Sequence, residues 1–580
     1  MKKLSIENYH ELQAYINLAH YPECNSNTMT LLMWSNQYEV YYECYEDFAL
    51  VYSQTFHHSG VWLMPYCLKE NRKKAILQME KRSQELGIDF HIYSMTKEFK
   101  TWLQESFPQS FFAWNCYDAA DYIYDRKQQE TLIGKKMQKR RNHFTAFLKQ
   151  YENRYVFKPL EKKDHKEVLA FLERWKLRKD PSEYATIDVE KEGIKLFLDH
   201  WDDLPILGSC IYVDGALEAF NIASYLKEDM IQIHVEKANK DIRGLYIAIL
   251  KLFLETLPSE VIYVNREDDM GLPELRKNKS DMCPIYKEKK FACRKDAYHI
   301  HQATASWKQK IHDLWLARFQ EETQASTDFY FDHYYDEEHT WILTHQEDLI
   351  SMVQLRPMDV SINKNQEKTY FIVGVATNPD YEGCGYMDLL LNEVFSKDPY
   401  QQVPFLCLQA YNWDLYKHLG FEQTYQQRFY RLDHSAYQQE VGTLVMQADP
   451  ALLSSLYHMY MQDKTGYRIR TEDYYQTLFI PYSTLWNLTI ETYYEQQEAK
   501  GYVVYEVQGK ECIVQELICT TKQAKDAMLS TLCARYEKLR VYTAIDEELQ
   551  GKEKLVTNMA IRNQSRKPFP TKHLFIHESI

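Results

Sequence analysis

FIVGVATNPDYEGCGYMDLLLNEVF, residues 371–395, decides how the rest of the chain is read. Phe371 to Val375 is an apolar, β-branched run of buried-strand length, and Met387, Leu390, Leu391 and Val394 recur at helical spacing on one face. Between the two stand Gly383 and Gly385. Glycine at a strand-to-helix junction lets backbone N–H groups approach an anion closely, and the helix N-terminus behind it adds a favourable dipole. The stretch predicts a strand, a glycine loop and a helix that together cradle a pyrophosphate.

The same strand–loop–helix–strand pattern recurs four times. VWLMPYC, a helix over about 71–86 and DFHIYS make the first copy, and MIQIHVEKA, a helix over about 245–257 and EVIYVN the second. The third is the stretch above closed by VPFLCLQA, and the fourth is CIVQELIC, a helix over about 524–536 and LRVYTAI. Their first strands begin near residues 61, 231, 370 and 512, spacings large enough for one module each. A βαβ crossover implies parallel neighbouring strands, so the expectation is a mixed α/β fold of four modules. Boundaries fall at 1–130, 131–303, 304–436 and 437–580.

Composition narrows the function. A net charge of −14 argues against nonspecific nucleic-acid binding by the whole surface. MKKLSIENYHELQAY lacks the apolar core of a signal peptide, and no window of about 18 apolar residues exists, so a soluble, cytoplasmic protein without integral membrane contact is expected. The 12 cysteines are scattered from Cys24 to Cys533 with no CxxC pair, which suits buried thiols rather than a metal site or disulfides.

With DLYKHLGFE from Asp414, the opening stretch resembles the coenzyme A core of a GNAT acetyltransferase. The resemblance implies acetyl-CoA as cofactor, its pyrophosphate on the loop Glu382, Gly383, Cys384, Gly385 and Tyr386, and its pantetheine amides paired with the strand around Val373 and Val375. Tyr416 falls where that family places the residue that protonates the departing thiolate. Two positions depart from the family: the loop opens with Glu382 rather than Arg or Gln, and Met387 stands where Gly or Ala is usual. Either Glu382 points to solvent and coenzyme A binds more weakly, or the module has lost catalysis. From about residue 304 the chain resembles the Eis-like acetyltransferases, on VGVATNPDYEGCGYMDLLL, FYRL, GYVVYEV and NMAIRN. There a sterol-carrier-like third domain supplies a terminal carboxylate to the active site. About 145 residues remain here, enough for a second, degenerate GNAT copy alone. A protonated amine has no lone pair, so a base is needed: Glu367, the carboxylate of Ile580, or a water chain.

Residues up to about 298 resemble the phosphatidylglycerol lysyltransferase C-terminal-domain family, a tandem of two GNAT-like modules. DYIYDRKQQETLIGKKMQKRRNHFTAFLKQY, IHVEKANKDIRGLYIAILKLF and VNREDDMGLPELRKNKSDMCPIYKEKKFACR carry the likeness. Lys135, Lys136, Lys139, Arg140, Arg141 and Lys149 form a basic run suited to phosphate or to a solvated face. Asn265, Arg266, Glu267, Asp268 and Asp269 follow a strand, where α/β folds place ligand-contacting groups. Arg276 and Lys279 come soon after, either across one cleft or in a structural ion-pair network. His234 and Glu236, two apart on a strand, line the same cleft or satisfy each other.

The leading expectation is an N-acetyltransferase working from 304–436 on a small-molecule or protein amine. An aminoacyltransferase of the amino-terminal half using aminoacyl-tRNA, and a noncatalytic binder, are the alternatives.

Overall fold

The structure is a computed structural model that describes residues 1–580 except 56–59, 434, 438–442, 566–568, 571–572, 575 and 577–580. It divides into two compact units, Met1–Tyr298 and His299–Ile580.

All four crossovers are present and parallel. Trp62 pairs with Ile92, Met230 with Tyr263, Tyr370 with Leu406 and Glu511 with Lys538. Each is bridged by an α-helix: Arg72–Leu86, Leu245–Glu255, Tyr386–Phe395 and Lys522–Arg535. The face of the third helix read from the sequence is covered, except that Met387 is half-buried. Leu390, Leu391 and Val394 are buried in the third, and Ala524, Met528 and Leu532 pack on Val503, Val514 and Val541 in the fourth.

The sheets are not built from contiguous chain. In the first unit, Phe291–Arg294 lies between His91–Met95 and Phe112–Asn115, completing the sheet that begins at the N-terminus. In return, Asp121–Asp125 lies between Tyr263–Asn265 and Tyr286–Glu288 in the second sheet. Each inserted strand is antiparallel to both neighbours and fills a gap that would otherwise leave two unpaired edges. No cut at one point, near 130 or elsewhere, separates the two sheets.

The second unit repeats the arrangement in one continuous sheet. From one edge run His299–Gln302, Thr340–His345, Asp348–Ile362, Asn365–Thr377 and Phe405–Leu408. Next comes Lys552–Asn563, from the far end of the chain, and then Glu422–Asp433. Lys538–Ala544, Glu511–Cys519, Glu498–Gln508, Thr489–Glu495 and Thr443–Val445 complete the order. One face of the third module is covered by Trp315, Tyr330 and Phe331 against Ile342, Met352 and Ala376.

Candidate functional site

The third crossover splays apart at the end of its first strand. Parallel pairing between Asn365–Thr377 and Phe405–Leu408 ends at Ile372–Leu408, and beyond it the strands diverge. On the other side, Val373 opposes Gln354 and Ala376 opposes Met352, so Gly374 and Val375 together face one residue. This is a β-bulge with a glycine in the left-handed region, φ +61°. Gly374 is required by packing as well. A Cβ there would lie 2.4 Å from the ring of Trp315.

Each arm of the splay carries part of the site. The first arm leads through Asn378 to Gly383 and Gly385, with φ +74° and +83°, and Gly385 caps the helix Tyr386–Phe395. Those conformations are the ones a Cβ disfavours, which explains glycine at both positions. Glu382 is exposed and pairs with Arg318, at the end of helix Lys308–Arg318, so its charge is neutralised at the loop mouth. Met387 is half-buried. Cys384 and Tyr386 turn their side chains into the core, leaving only their backbone for a ligand, and Val373 and Val375 are half-buried beside the bulge.

The second arm leads to Tyr416, half-buried between two short 3₁₀ turns closed by Gly420 at φ +85°. Its ring meets Phe421 edge-on at 6.1 Å. Among the described residues its hydroxyl has no hydrogen-bond partner, and burial pushes its pKa up to about 12. The two arms are tied together by a hydrogen bond between His418 Nε2 and Asp388 Oδ1 at 2.9 Å, with Asp388 in the first turn of the helix. Neither this pair nor Arg318 was legible in the sequence, because each contact joins residues 30 or more apart with no motif around them.

Glu367 does not join this site. It is exposed on the same strand, paired with Val360 and eight residues before Val375. At about 3.3 Å per residue that is roughly 26 Å away. The Ile580 carboxylate lies outside the described residues.

The fourth module has a bulge at Gln515, since Val504 faces Glu516 and Tyr505 faces Val514. Its helix is closed differently. Thr521 accepts the Ala524 N–H, occupying a donor that an anion would need. Glu516, just past the bulge, forms a pair with Arg470 at 2.9 Å in which both side chains are 1% exposed.

In the first unit the charged residues singled out in the sequence converge on one corner of the second sheet. Parallel pairing there ends at Gln232–Asn265, and His234 is the extra residue of a bulge. His234 Nε2 meets Ser224 Oγ at 2.8 Å and its Nδ1 lies 3.4 Å from Glu267. Glu236 pairs with Arg266 instead, at 2.8 Å, so the two residues do not satisfy each other. Burial pushes the Glu236 carboxyl up, against the opposing pull of Arg266. Lys279 donates to the carbonyls of Arg266 at 2.6 Å and of Asp268, clamping a turn in which Glu267 has φ +57°. Burial lowers the Lys279 pKa. Arg276 bonds Asp269 through two 3.0 Å contacts and holds its carboxyl down to about 2. Arg276 and Lys279 are thus committed to the turn.

Behind that corner Lys290 and Asp121 pair at 2.6 Å, both 0% exposed. Lys290 also reaches Cys24 Sγ at 3.0 Å, and Asp121 accepts the Cys24 N–H at 2.6 Å and the Asn265 amide at 3.0 Å. Cys24, Asp121 and Asp268 have the chemistry of a metal-ligand group, but the lysine ammonium already supplies the cation. Opposite Asp121 stands Glu288. Burial, with the charges of Asp121 and Glu23, pushes its pKa up to about 7. A carboxyl raised on folding stabilises the fold below its unfolded pKa of about 4.3, and that contribution is lost as pH rises through 7. Chemical denaturation at pH 5 and pH 8 should show Glu288→Gln losing about 2 kcal/mol less than the parent over that interval, allowing for the partial exposure of Glu288.

The basic run is divided. Arg141 donates to the carbonyls of Leu132 and, at 2.9 Å, of Gly134, and Arg140 reaches Met282 Sδ at 2.8 Å. Lys135, Lys136 and Lys139 are exposed. The helix Gln138–Gln150 also packs on Gly244, where a Cβ would meet the His143 carbonyl at 2.3 Å.

With this geometry, comparison with known proteins is informative. Residues 17–294 match the family model for the C-terminal region of phosphatidylglycerol lysyltransferase. Residues 299–424 and 466–552 each match a GNAT acetyltransferase domain. Three segments of the chain match acyltransferase families. An uncharacterised protein of Mycoplasmoides gallisepticum is 28% identical over 174 residues, 30% of this chain. The match spans 55% of that relative's length. A conserved protein of unknown function from Bacteroides thetaiotaomicron is similar in structure at TM-score 0.49 and 23% identity, covering 51% of this chain and 99% of its own. Eis1 from Mycobacterium abscessus is similar at TM-score 0.38 and 12% identity, covering 46% and 74%. Among the described residues no helix is long and apolar enough to cross a membrane.

Proposed function

We propose that residues near 304–436 form an N-acetyltransferase that moves an acetyl group from acetyl-CoA to a primary amine, within a cytoplasmic protein of four GNAT-like modules. One observation carries this reading: parallel pairing that stops at Ile372–Leu408 beside the Gly374 bulge, with two left-handed glycines leading from that arm into a helix N-terminus. Unpaired strand backbone beyond Ile372 can bond the pantetheine amides, and the turn at Gly383 and Gly385 with the helix N-terminus behind it can receive the pyrophosphate, the Cys384 N–H being already given to the Tyr381 carbonyl at 3.3 Å. Tyr416, neutral at physiological pH, would donate its proton to the sulfur as the C–S bond breaks. Glu382 is compatible with the donor because Arg318 offsets its charge. Direct attack of the amine on the thioester then needs no covalent enzyme intermediate. Calorimetric titration with acetyl-CoA tests the reading. The parent should give saturable heat and Gly383→Trp, which fills the cradle, should lose it while staying folded, with its unfolding transition lowered by the left-handed backbone at that position; no heat from the parent at millimolar ligand refutes the donor site.

The match of residues 17–294 and the exposed Lys135, Lys136 and Lys139 favour a second activity, aminoacyl transfer from a charged tRNA. Its signature is saturable, salt-sensitive retention of total RNA in a mobility assay.

A further inference from the structure

A cavity of about 290 Å³ opens beside Tyr416 in the second unit. Trp413, Tyr416 and Phe421 supply three aromatic walls, and Lys417, Glu422 and Ala560 line the remainder. Its place in the sheet is defined by register: Leu408, the last residue paired with the cofactor strand, faces Ala560, and Ala560 faces Gln423. At about 4.8 Å between strands, the cavity floor lies one to two strands, roughly 5–10 Å, beyond the arm that carries the splay.

Charge in the cavity is one-sided. Lys417 is taken up by Asp414 at 2.5 Å. The Glu422 carboxylate is exposed and, among the described residues, has no ion-pair partner. Aromatic ring faces attract cations, and a lone carboxylate beside them adds a charged hydrogen-bond acceptor. The volume sits at the lower bound of ligand cavities, about 300–1,000 Å³, enough for an ammonium head on an aliphatic stem.

We infer that this cavity is the acceptor pocket and that it selects a protonated aliphatic amine, held by Glu422 and the faces of Trp413 and Phe421. This rests on the acetyltransferase reading above. In the reaction the bound ammonium releases one proton to solvent, its nitrogen forms the C–N bond to the thioester carbonyl, and the C–S bond breaks. The thiolate takes the Tyr416 proton, and the nitrogen's second proton restores the phenol. The products are an acetamide, coenzyme A thiol and one proton in solution.

An aliphatic ammonium can come from a free diamine or from a lysine side chain, and two probes separate these sources. Cadaverine and a short lysine-containing peptide are titrated calorimetrically into the full-length protein, with and without acetyl-CoA. Binding of cadaverine alone identifies a small-molecule acceptor, and stronger binding of the peptide identifies a protein one. In either case Glu422→Gln and Trp413→Leu should each weaken the amine by about tenfold and leave the acetyl-CoA isotherm unchanged. The pocket is overturned if neither probe binds the parent protein, or if both variants bind the amines as the parent does. Absence of acetyl-CoA binding alone, with amine binding retained, would overturn the donor reading and leave the amine site standing.

Discussion

Tyr416→Phe will lower kcat by roughly a hundredfold while leaving the acetyl-CoA dissociation constant within about twofold. The hydroxyl is the only atom removed, the ring contact with Phe421 stays, and no hydrogen bond to the hydroxyl is lost among the described residues. A structural role for the phenol therefore predicts no loss, whereas a proton donor to sulfur predicts a loss confined to the chemical step. General acid catalysis typically contributes 10²–10⁴-fold, and the lower end applies because a coenzyme A thiolate is a comparatively good leaving group. Burial holds the phenol protonated until about pH 12, so the alkaline limb of the parent's pH–kcat profile should show no loss from Tyr416 below about pH 11. Stopped-flow measurement of thiol release at saturating acetyl-CoA decides the matter. Equal rates for parent and variant would remove Tyr416 from the mechanism.

Lys290→Met will destabilise the first unit by roughly 3–5 kcal/mol. The side chain is fully buried, and removing its charge leaves Asp121 and Glu23 as carboxylates in the core without their cation. Methionine fills nearly the same volume, so the loss reports charge rather than a cavity. The strand exchange amplifies the consequence. Lys290 immediately precedes Phe291–Arg294, the strand contributed to the first sheet, and Asp121 begins the strand contributed to the second, so this pair fastens both exchanged strands. Lys290→Met with Asp121→Asn should recover part of the loss, because the two residues share one interaction. Urea denaturation of Lys290→Met, Asp121→Asn and the double variant measures it; a loss under about 1 kcal/mol for Lys290→Met would mean the core reorganises around the missing charge.

Arg470 and Glu516 provide a comparison within the same chain. Both are buried, and the arginine guanidinium also lies over the Tyr457 ring, 4.5 Å from its centroid. A buried carboxylate past the bulge of the crossover's first strand, paired to an arginine, also describes Glu236 and Arg266. Modules two and four thus each carry an acidic residue paired to an arginine past the bulge, where module three has Ala376.

The sequence alone determined the local geometry. The four crossovers, their helices and the parallel pairing follow from apolar period and length, and glycine at 383 and 385 follows from backbone conformation. These depend on residues within one or two turns of each other, and for that reason they are written locally. What tertiary structure decided is what depends on distant chain. Four residues at 291–294 carry no mark of a partner strand some 200 residues earlier. Nothing near Gly374 announces Trp315, and nothing near Glu382 announces Arg318, which offsets its charge. Glu367 was a plausible base by its nearness in sequence to the cofactor strand, yet an extended chain carries it away with every residue. Spacing leaves His234 and Glu236 either lining one cleft or satisfying each other, and a bulge of a single residue gives them different partners. Side-chain pairing across a fold is set by where the backbone takes each group, and that information is held by the whole chain rather than by any stretch of it.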